Sequence, residues 1–363
     1  MKRTLLIAIS LLIVQLSAGQ IKKAKLTFTT PLVDQRVELV SIAARLAGYQ
    51  EYNSELYKSY VLDIQTFFNK YQQHPLISFM RQIRHSHSIS YDAVMAMAVH
   101  VSGAPELNPL VEFNKNTPEK RWGKSAALRF AVLLQQFYKD TNAALFFSNQ
   151  QSRYKRAVLH FNTGLQTLDT NWFYRFYGDK PKAQFNLSIG LGNGGANYSG
   201  SVLFQDSAEV QYAIMGTWKF DAKGEPVYDS SVYLPALIHE FNHSFVNELT
   251  NKYESQLHIA GKILYQSDTI KMQNQGYADW KVMLNESLVK ASVISYLIQH
   301  HTPVTTVNAE IQKQSSKGFV WIKPLVELLA TYERNRKRYP TMDSFMPQLI
   351  KFYNISANNI NSD

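Results

Sequence analysis

Two histidines and a glutamate with metal-binding spacing lie at residues 239–243, which read His-Glu-Phe-Asn-His. Residues four apart lie on one face of a helix, so His239 and His243 could hold one zinc ion from successive turns. Glu240 lies about 100° around the same helix, where its carboxylate could take a proton from water at the ion. Zinc lowers the pKa of such water to about 7, so the grouping predicts hydrolysis. The alternative is a helix whose histidines are ordinary surface or core residues.

A catalytic zinc site needs a third protein ligand, and the chain has no cysteine to supply it. Glu286 is the favoured candidate because it is the lone acid in a strongly apolar helical run, where a buried carboxylate is costly without a partner. Two alternatives stay open. Glu286 could form an ordinary ion pair with Lys290 at i+4, or His258 could be the ligand, although no glycine supports the sharp turn that this requires.

Helices must position these side chains. Apolar residues along 234–246 give the motif helix a buried side. Helical periodicity also runs from Asp34, a predicted helix cap, to about residue 151, and it returns from Tyr233 to the end. The aromatic residues of these stretches fit core positions better than a ligand site.

The pattern changes between residues 184 and 228. Alternating apolar residues at 185, 187 and 189 predict a strand, and residues 209–220 predict one or two more. We therefore predict an α+β, mostly helical fold with a small antiparallel sheet and an active-site helix. After a signal peptide at 1–19, residues 20–363 would form a single unit, with a helical N-terminal half (about 34–165) and a zincin-like half (about 166–363).

His239, Glu240, His243 and the pair Asn285-Glu286 together resemble the gluzincin clan of zinc metallopeptidases, over roughly 60 residues from Leu234 to Leu297. The remainder is similar to an uncharacterised family of exported bacterial proteins that carry the same motif. The resemblance implies that the two histidines and Glu286 are zinc ligands and that Glu240 is the general base.

The resemblance carries two further expectations. Gluzincin-like folds place an edge strand beside the active helix, where a peptide adds as another strand, and residues 210–219 could serve. Several gluzincins also carry an aspartate four residues after the ligand glutamate, which orients a ligand histidine. Lys290 stands there in this chain. Asp279, Glu248 or a backbone carbonyl would have to take over that role.

A hydrolase also needs a donor for the oxyanion that develops on the substrate carbonyl. Tyr332 and Tyr339 flank a basic cluster at 334–338, so either phenol is a candidate. The alternative is a solvated basic helix end before Pro340.

The N-terminus predicts export. Lys2 and Arg3 precede an apolar run, and small residues at 17–19 fit a cleavage site before Gln20, so residues 1–19 read as a signal peptide. We expect a periplasmic or secreted protein without a stable membrane span. Cleavage would lower the formal net charge from +10 to +8.

Three other sequence patterns do not indicate a functional site. The glycines at 190–195 fit a dinucleotide fingerprint, but no helix follows them, so they predict a turn. His85 and His87 would point two ways on a helix. Basic residues are spread along the chain without a nucleic-acid motif, so no nucleic-acid partner is expected.

The sequence thus predicts an exported zinc-dependent hydrolase, foremost a metallopeptidase acting on peptide or protein substrates. A non-catalytic binding protein on the same scaffold is the main alternative, and a hydrolase of other amides or esters would use the same site.

Overall fold

The computed structural model describes residues 29–179, 183–205 and 209–362, and most of them are helical. Eight described helices precede the sheet: α1 (Gln35–Leu46), α2 (Lys58–Phe68), α3 (Pro75–Ser86), α4 (Asp92–Val99), α5 (Gly123–Asp140), α6 (Ala143–Asn149), α7 (Gln151–Leu165) and α8 (Thr170–Tyr177). The strands are β1 (Ala183–Ile189), β2 (Tyr198–Leu203) and β3 (Glu209–Met215). Seven described helices follow: α9 (Ser230–Lys252), α10 (Glu254–Gln266), α11 (Thr269–Asn274), α12 (Trp280–Gln299), α13 (Val304–Ser316), α14 (Ile322–Arg334) and α15 (Met342–Ser362). The predicted α+β, mostly helical fold is confirmed.

The predicted signal peptide at residues 1–19 lies outside the described residues. Within the described ranges, no helix combines the length and the apolar character that crossing a lipid bilayer requires.

Local signals mark both ends of α1, and the predicted cap at Asp34 is confirmed. The Asp34 carboxylate caps the helix by accepting a hydrogen bond from the backbone N–H of Arg36 at 2.9 Å. The helix ends at Leu46, and Gly48 then adopts a φ of +82°, in the left-handed region that glycine tolerates. Buried apolar side chains from both halves form one continuous cluster, which reaches from Val33 to Ala357.

The sheet is mixed, so the prediction of an antiparallel sheet is wrong. β3 lies in the centre, parallel to β1 and antiparallel to β2. The expectation that residues 210–219 form an edge strand is also wrong, because β3 is paired on both sides and ends at Met215. Alternation predicts correctly that Phe185, Leu187 and Ile189 are buried. It carries no information about which strand lies beside which.

The glycines at 190–195 form a turn around a buried carboxylate from α1. Backbone N–H groups of Leu191 and Gly192 donate to Glu38 at 2.7 and 3.1 Å, and the Tyr60 hydroxyl donates to it at 2.7 Å. No helix opens after the glycines, because β2 begins at Tyr198. The predicted turn is present, and it ties the sheet to the N-terminal helices.

Helices α9 and α12 pack directly against each other and form the centre of the C-terminal half. The buried side of α9 includes Leu237, Phe241 and Val246. Phe241 also packs edge-on against Phe185 of β1, with ring centroids 4.9 Å apart. Sheet and helix pair together fix the α9 backbone that carries the predicted motif.

Candidate metal centre

His239 and His243 lie one turn apart on α9, and their side chains turn towards each other. The two Nε2 atoms are 3.2 Å apart, and the ring centroids are 4.8 Å apart with nearly perpendicular planes. About four-fifths of each side chain is buried. The i, i+4 spacing therefore places both imidazoles as the sequence predicts.

Glu286 reaches the same place from α12. Its Oε1 lies 3.2 Å from Nε2 of His243, and its Oε2 lies 3.5 Å from Nε2 of His239. One ligand atom from each of the three residues lies within 4.8 Å of the others. His258 is exposed on α10, where its ring packs against Trp280, so it takes no part in this cluster.

The three side chains fit a zinc ion. Two imidazole nitrogens and a carboxylate oxygen converge on one space, where a shared proton or a bound cation is needed to offset the repulsion between their lone pairs. Imidazole and carboxylate ligands suit zinc, and three protein ligands leave a coordination position open, as catalytic sites require. The donor set contains no sulfur, in keeping with a chain that lacks cysteine.

The side chain of Lys290 contacts Glu286. The ammonium Nζ of Lys290 lies 2.6 Å from Oε2, and the hydroxyl of Tyr277 donates to the same oxygen at 3.3 Å. Burial acts to raise the pKa of Glu286, but the charges of Lys290 and His239 outweigh it and hold that pKa well below its usual range. The ion pair that the sequence offered as an alternative to metal binding is therefore present.

Glu286 also acts on the second histidine. Burial acts to lower the pKa of His243, but the hydrogen bond and negative charge of Glu286 outweigh burial and raise it. The Nδ1 atom of the same ring lies 3.4 Å from Oδ1 of Asn247, one turn further along α9. This outer contact can set the orientation of the ring.

Sequence reasoning missed Asn247 and offered two other residues for this role. Asp279 caps α12 instead, accepting from the N–H groups of Lys281 and Val282. Glu248 borders a separate cavity beside Tyr177 and Asp343. The signal that could have revealed Asn247 is its i+4 spacing from His243, the same spacing that relates the two histidines.

Asn285, the neighbour of Glu286, joins the two helices of the site. Its Oδ1 accepts a hydrogen bond from the hydroxyl of Thr250 on α9. Because Asn285 directly precedes Glu286 in the chain, this hydrogen bond fixes the position of Glu286 relative to α9.

A cleft of about 970 Å³ opens beside the cluster, between α9, α12 and α13. His239, Glu240 and Lys290 line it, with Val293 and Leu297 forming part of an apolar wall. Glu240 is half-buried and faces the same cleft as His239. The Glu240 carboxylate and the His239 imidazole therefore share one cleft with room for a substrate chain, and His243 and Glu286 lie beside His239.

The two tyrosines predicted as oxyanion donors do not border this cleft. The Tyr332 side chain is fully buried, and its hydroxyl donates to the backbone carbonyl of Phe176 at 2.6 Å. Tyr339 packs against the ring of Phe345, with centroids 4.9 Å apart. Tyr332 continues the buried stripe of α14, a periodicity that could have identified it as a core residue.

No curated protein and no solved structure matches the chain. One family model matches residues 30–352, which include all three converging side chains and Glu240. The chain therefore belongs to the family described as a domain of unknown function, DUF4932.

Proposed function

We propose that this protein is a zinc-dependent hydrolase, specifically a metallopeptidase that cleaves peptide or protein substrates. One observation carries the proposal: His239, His243 and Glu286 converge from two helices beside a cleft that Glu240 also lines. The gluzincin-like order of these residues along the chain supports it independently. Export to the periplasm or the medium is part of the proposal, based on the signal-like residues 1–19.

His239, His243 and Glu286 would hold the zinc ion, which supplies a Lewis acid and lowers the pKa of water at the site. Glu240 acts as the general base: its carboxylate accepts a proton from the attacking water as the oxygen adds to the scissile carbonyl carbon. The same carboxylate then passes the proton to the leaving nitrogen as the carbon–nitrogen bond breaks. Asn247 orients His243, and the apolar wall at Val293 and Leu297 takes side chains of the substrate.

A second candidate is a non-catalytic binding protein on the same scaffold. The contact between Lys290 and Glu286 favours it, because a carboxylate that already has a buried cation beside it does not need a metal ion. In that case the cleft would bind a peptide without cleaving it.

Metal analysis and cleavage assays test the proposal together. We expect close to one zinc per chain in the wild type, and none in the double variant His239→Ala, His243→Ala; zinc retained by that variant would reject the site. Glu240→Gln should keep its zinc and lose at least about a hundredfold in turnover, the scale of general-base catalysis. A peptide-library screen with and without chelator separates the two candidates, since no chelator-sensitive cleavage at any bond would reject the peptidase and favour the binding protein.

A further inference from the structure

Lys290 occupies an unusual position for a lysine, because its ammonium group is enclosed beside the three candidate ligands. Only 10% of its side chain is exposed, against 12% for Glu286. Besides the contact with Glu286, the ammonium lies 5.4 Å from the ring centroids of both Tyr277 and Phe319, within the range of cation–π attraction. A carboxylate and two aromatic rings therefore surround this charge.

The two carboxylate oxygens of Glu286 have different contacts. Lys290 and Tyr277 both contact Oε2, whereas Oε1 faces His243 at 3.2 Å. Oε2 also lies 3.5 Å from Nε2 of His239, so each oxygen faces one imidazole, and the ammonium contacts Oε2. Glu286 would therefore supply zinc with a carboxylate ligand while it stays in contact with the ammonium of Lys290.

We propose that Lys290 is a built-in counter-cation, which stabilises the ligand cluster in the metal-free protein and weakens the binding of zinc to it. The proposal rests on the metal site of the proposed function. In the metal-free protein, the ammonium supplies the positive charge that buried Glu286 needs. In the zinc-loaded protein, the Lys290 ammonium repels the zinc ion. The ammonium also offsets part of the negative charge of Glu286, which weakens the attraction of that carboxylate for zinc.

The test is Lys290→Met, which removes the charge and fills a similar volume, while Tyr277 still donates to Glu286. Zinc affinity, measured by competition with a chromogenic chelator at mildly alkaline pH, should increase about tenfold or more, equivalent to about 1.4 kcal/mol. The metal-free variant should melt about 5 °C below the wild type, because one partner of a buried ion pair is missing. Adding zinc should recover that difference.

The matched control is Lys281→Met on the same helix. Lys281 also pairs with a glutamate, Glu254, but in a more exposed position and about 13 Å along the helix axis from Lys290. Lys281→Met changes the net charge by the same amount as Lys290→Met, but it does so away from the candidate ligands. The zinc affinity of Lys281→Met should therefore stay close to that of the wild type. Lys290→Arg keeps the charge and should keep the weaker affinity.

An unchanged or weaker zinc affinity in a folded Lys290→Met protein would overturn the proposal. If that variant is insoluble without metal, zinc during refolding should rescue it. Lys290→Gln, which retains a donor for Glu286, carries the same expectation, and failure of both variants to fold with zinc would also overturn it. A wild type that binds zinc without needing His239 and His243 would instead reject the metal site itself, so the two failures are distinguishable.

Discussion

The buried carboxyl of Glu38 should make the fold less stable as the pH rises from about 4.5 to about 7. The side chain has no exposed surface, and burial raises the pKa of Glu38 to about 7, although hydrogen bonds from Tyr60, Leu191 and Gly192 act in the opposite direction. The folded protein therefore holds this proton more tightly than the unfolded chain does, whose carboxyl has the ordinary pKa of 4.5. Protonation stabilises the fold at low pH, and this stabilisation is lost as the pH rises through 7.

The size of the effect follows from the two pKa values. They differ by about two to three units, and each unit corresponds to about 1.4 kcal/mol, so the free energy of unfolding should fall by about 3 kcal/mol across the window. Glu38→Gln removes the titration and keeps an acceptor for the N–H of Leu191. The difference in unfolding free energy between wild type and variant should therefore shrink by about this amount as the pH rises.

Urea denaturation in the presence of a chelator measures this difference at several pH values. The chelator matters because metal binding is itself pH-dependent, and comparing two proteins at each pH cancels the titrations that they share. Glu55→Gln is the control, since that side chain is 64% exposed, although its partner Arg45 is buried. Its pH dependence should follow that of the wild type.

A difference that stays constant with pH, or that grows in favour of the wild type as the pH rises, would refute this reasoning. The three donors would then outweigh burial, and Glu38 would be ionised throughout the range. The turn at 190–195 would in that case act as an anion-binding loop that stabilises the fold at neutral pH.

Two further predictions concern the surroundings of the site. Asn247→Ala should weaken zinc binding about tenfold in chelator competition, because it removes the contact to Nδ1 of His243; unchanged affinity would mean that another group orients the ring. Tyr332→Phe should lower the unfolding free energy by about 1 kcal/mol and leave turnover within about twofold, because its hydroxyl contacts the interior carbonyl of Phe176 and the side chain of Arg336 and does not line the cleft. A hundredfold loss of turnover would instead place this phenol in the mechanism.

The sequence could predict the cluster because each step used a local rule. The spacing of His239 and His243 places two imidazoles on one helical face whatever the rest of the fold does. Glu286 comes from a distant helix, but an acid in an apolar run is costly to bury alone, and that cost pointed to a partner. Both rules concern side chains on regular helices, where the helical period determines the direction in which each side chain points.

The sequence could not predict features that depend on which elements become neighbours. Alternation identified β1, yet it does not encode that β3 lies between β1 and β2. Tyr332 is a candidate by residue type because a phenol can donate a hydrogen bond, whereas its position on the buried stripe of α14 determines its role. Residue type alone predicts which chemistry a side chain can perform. Packing determines whether the side chain reaches the cleft.

Lys290 shows why two interpretations of Glu286 need not exclude each other. An i, i+4 ion pair and a metal ligand look like alternatives when a carboxylate is treated as one group. A carboxylate has two oxygens, and here Lys290 contacts Oε2 while Oε1 faces His243. The question for experiment is therefore whether the ammonium weakens zinc binding, and by how much. The affinity of Lys290→Met relative to Lys281→Met answers it directly, because both variants lose one charge from the same helix and only one of them loses it beside the ligands.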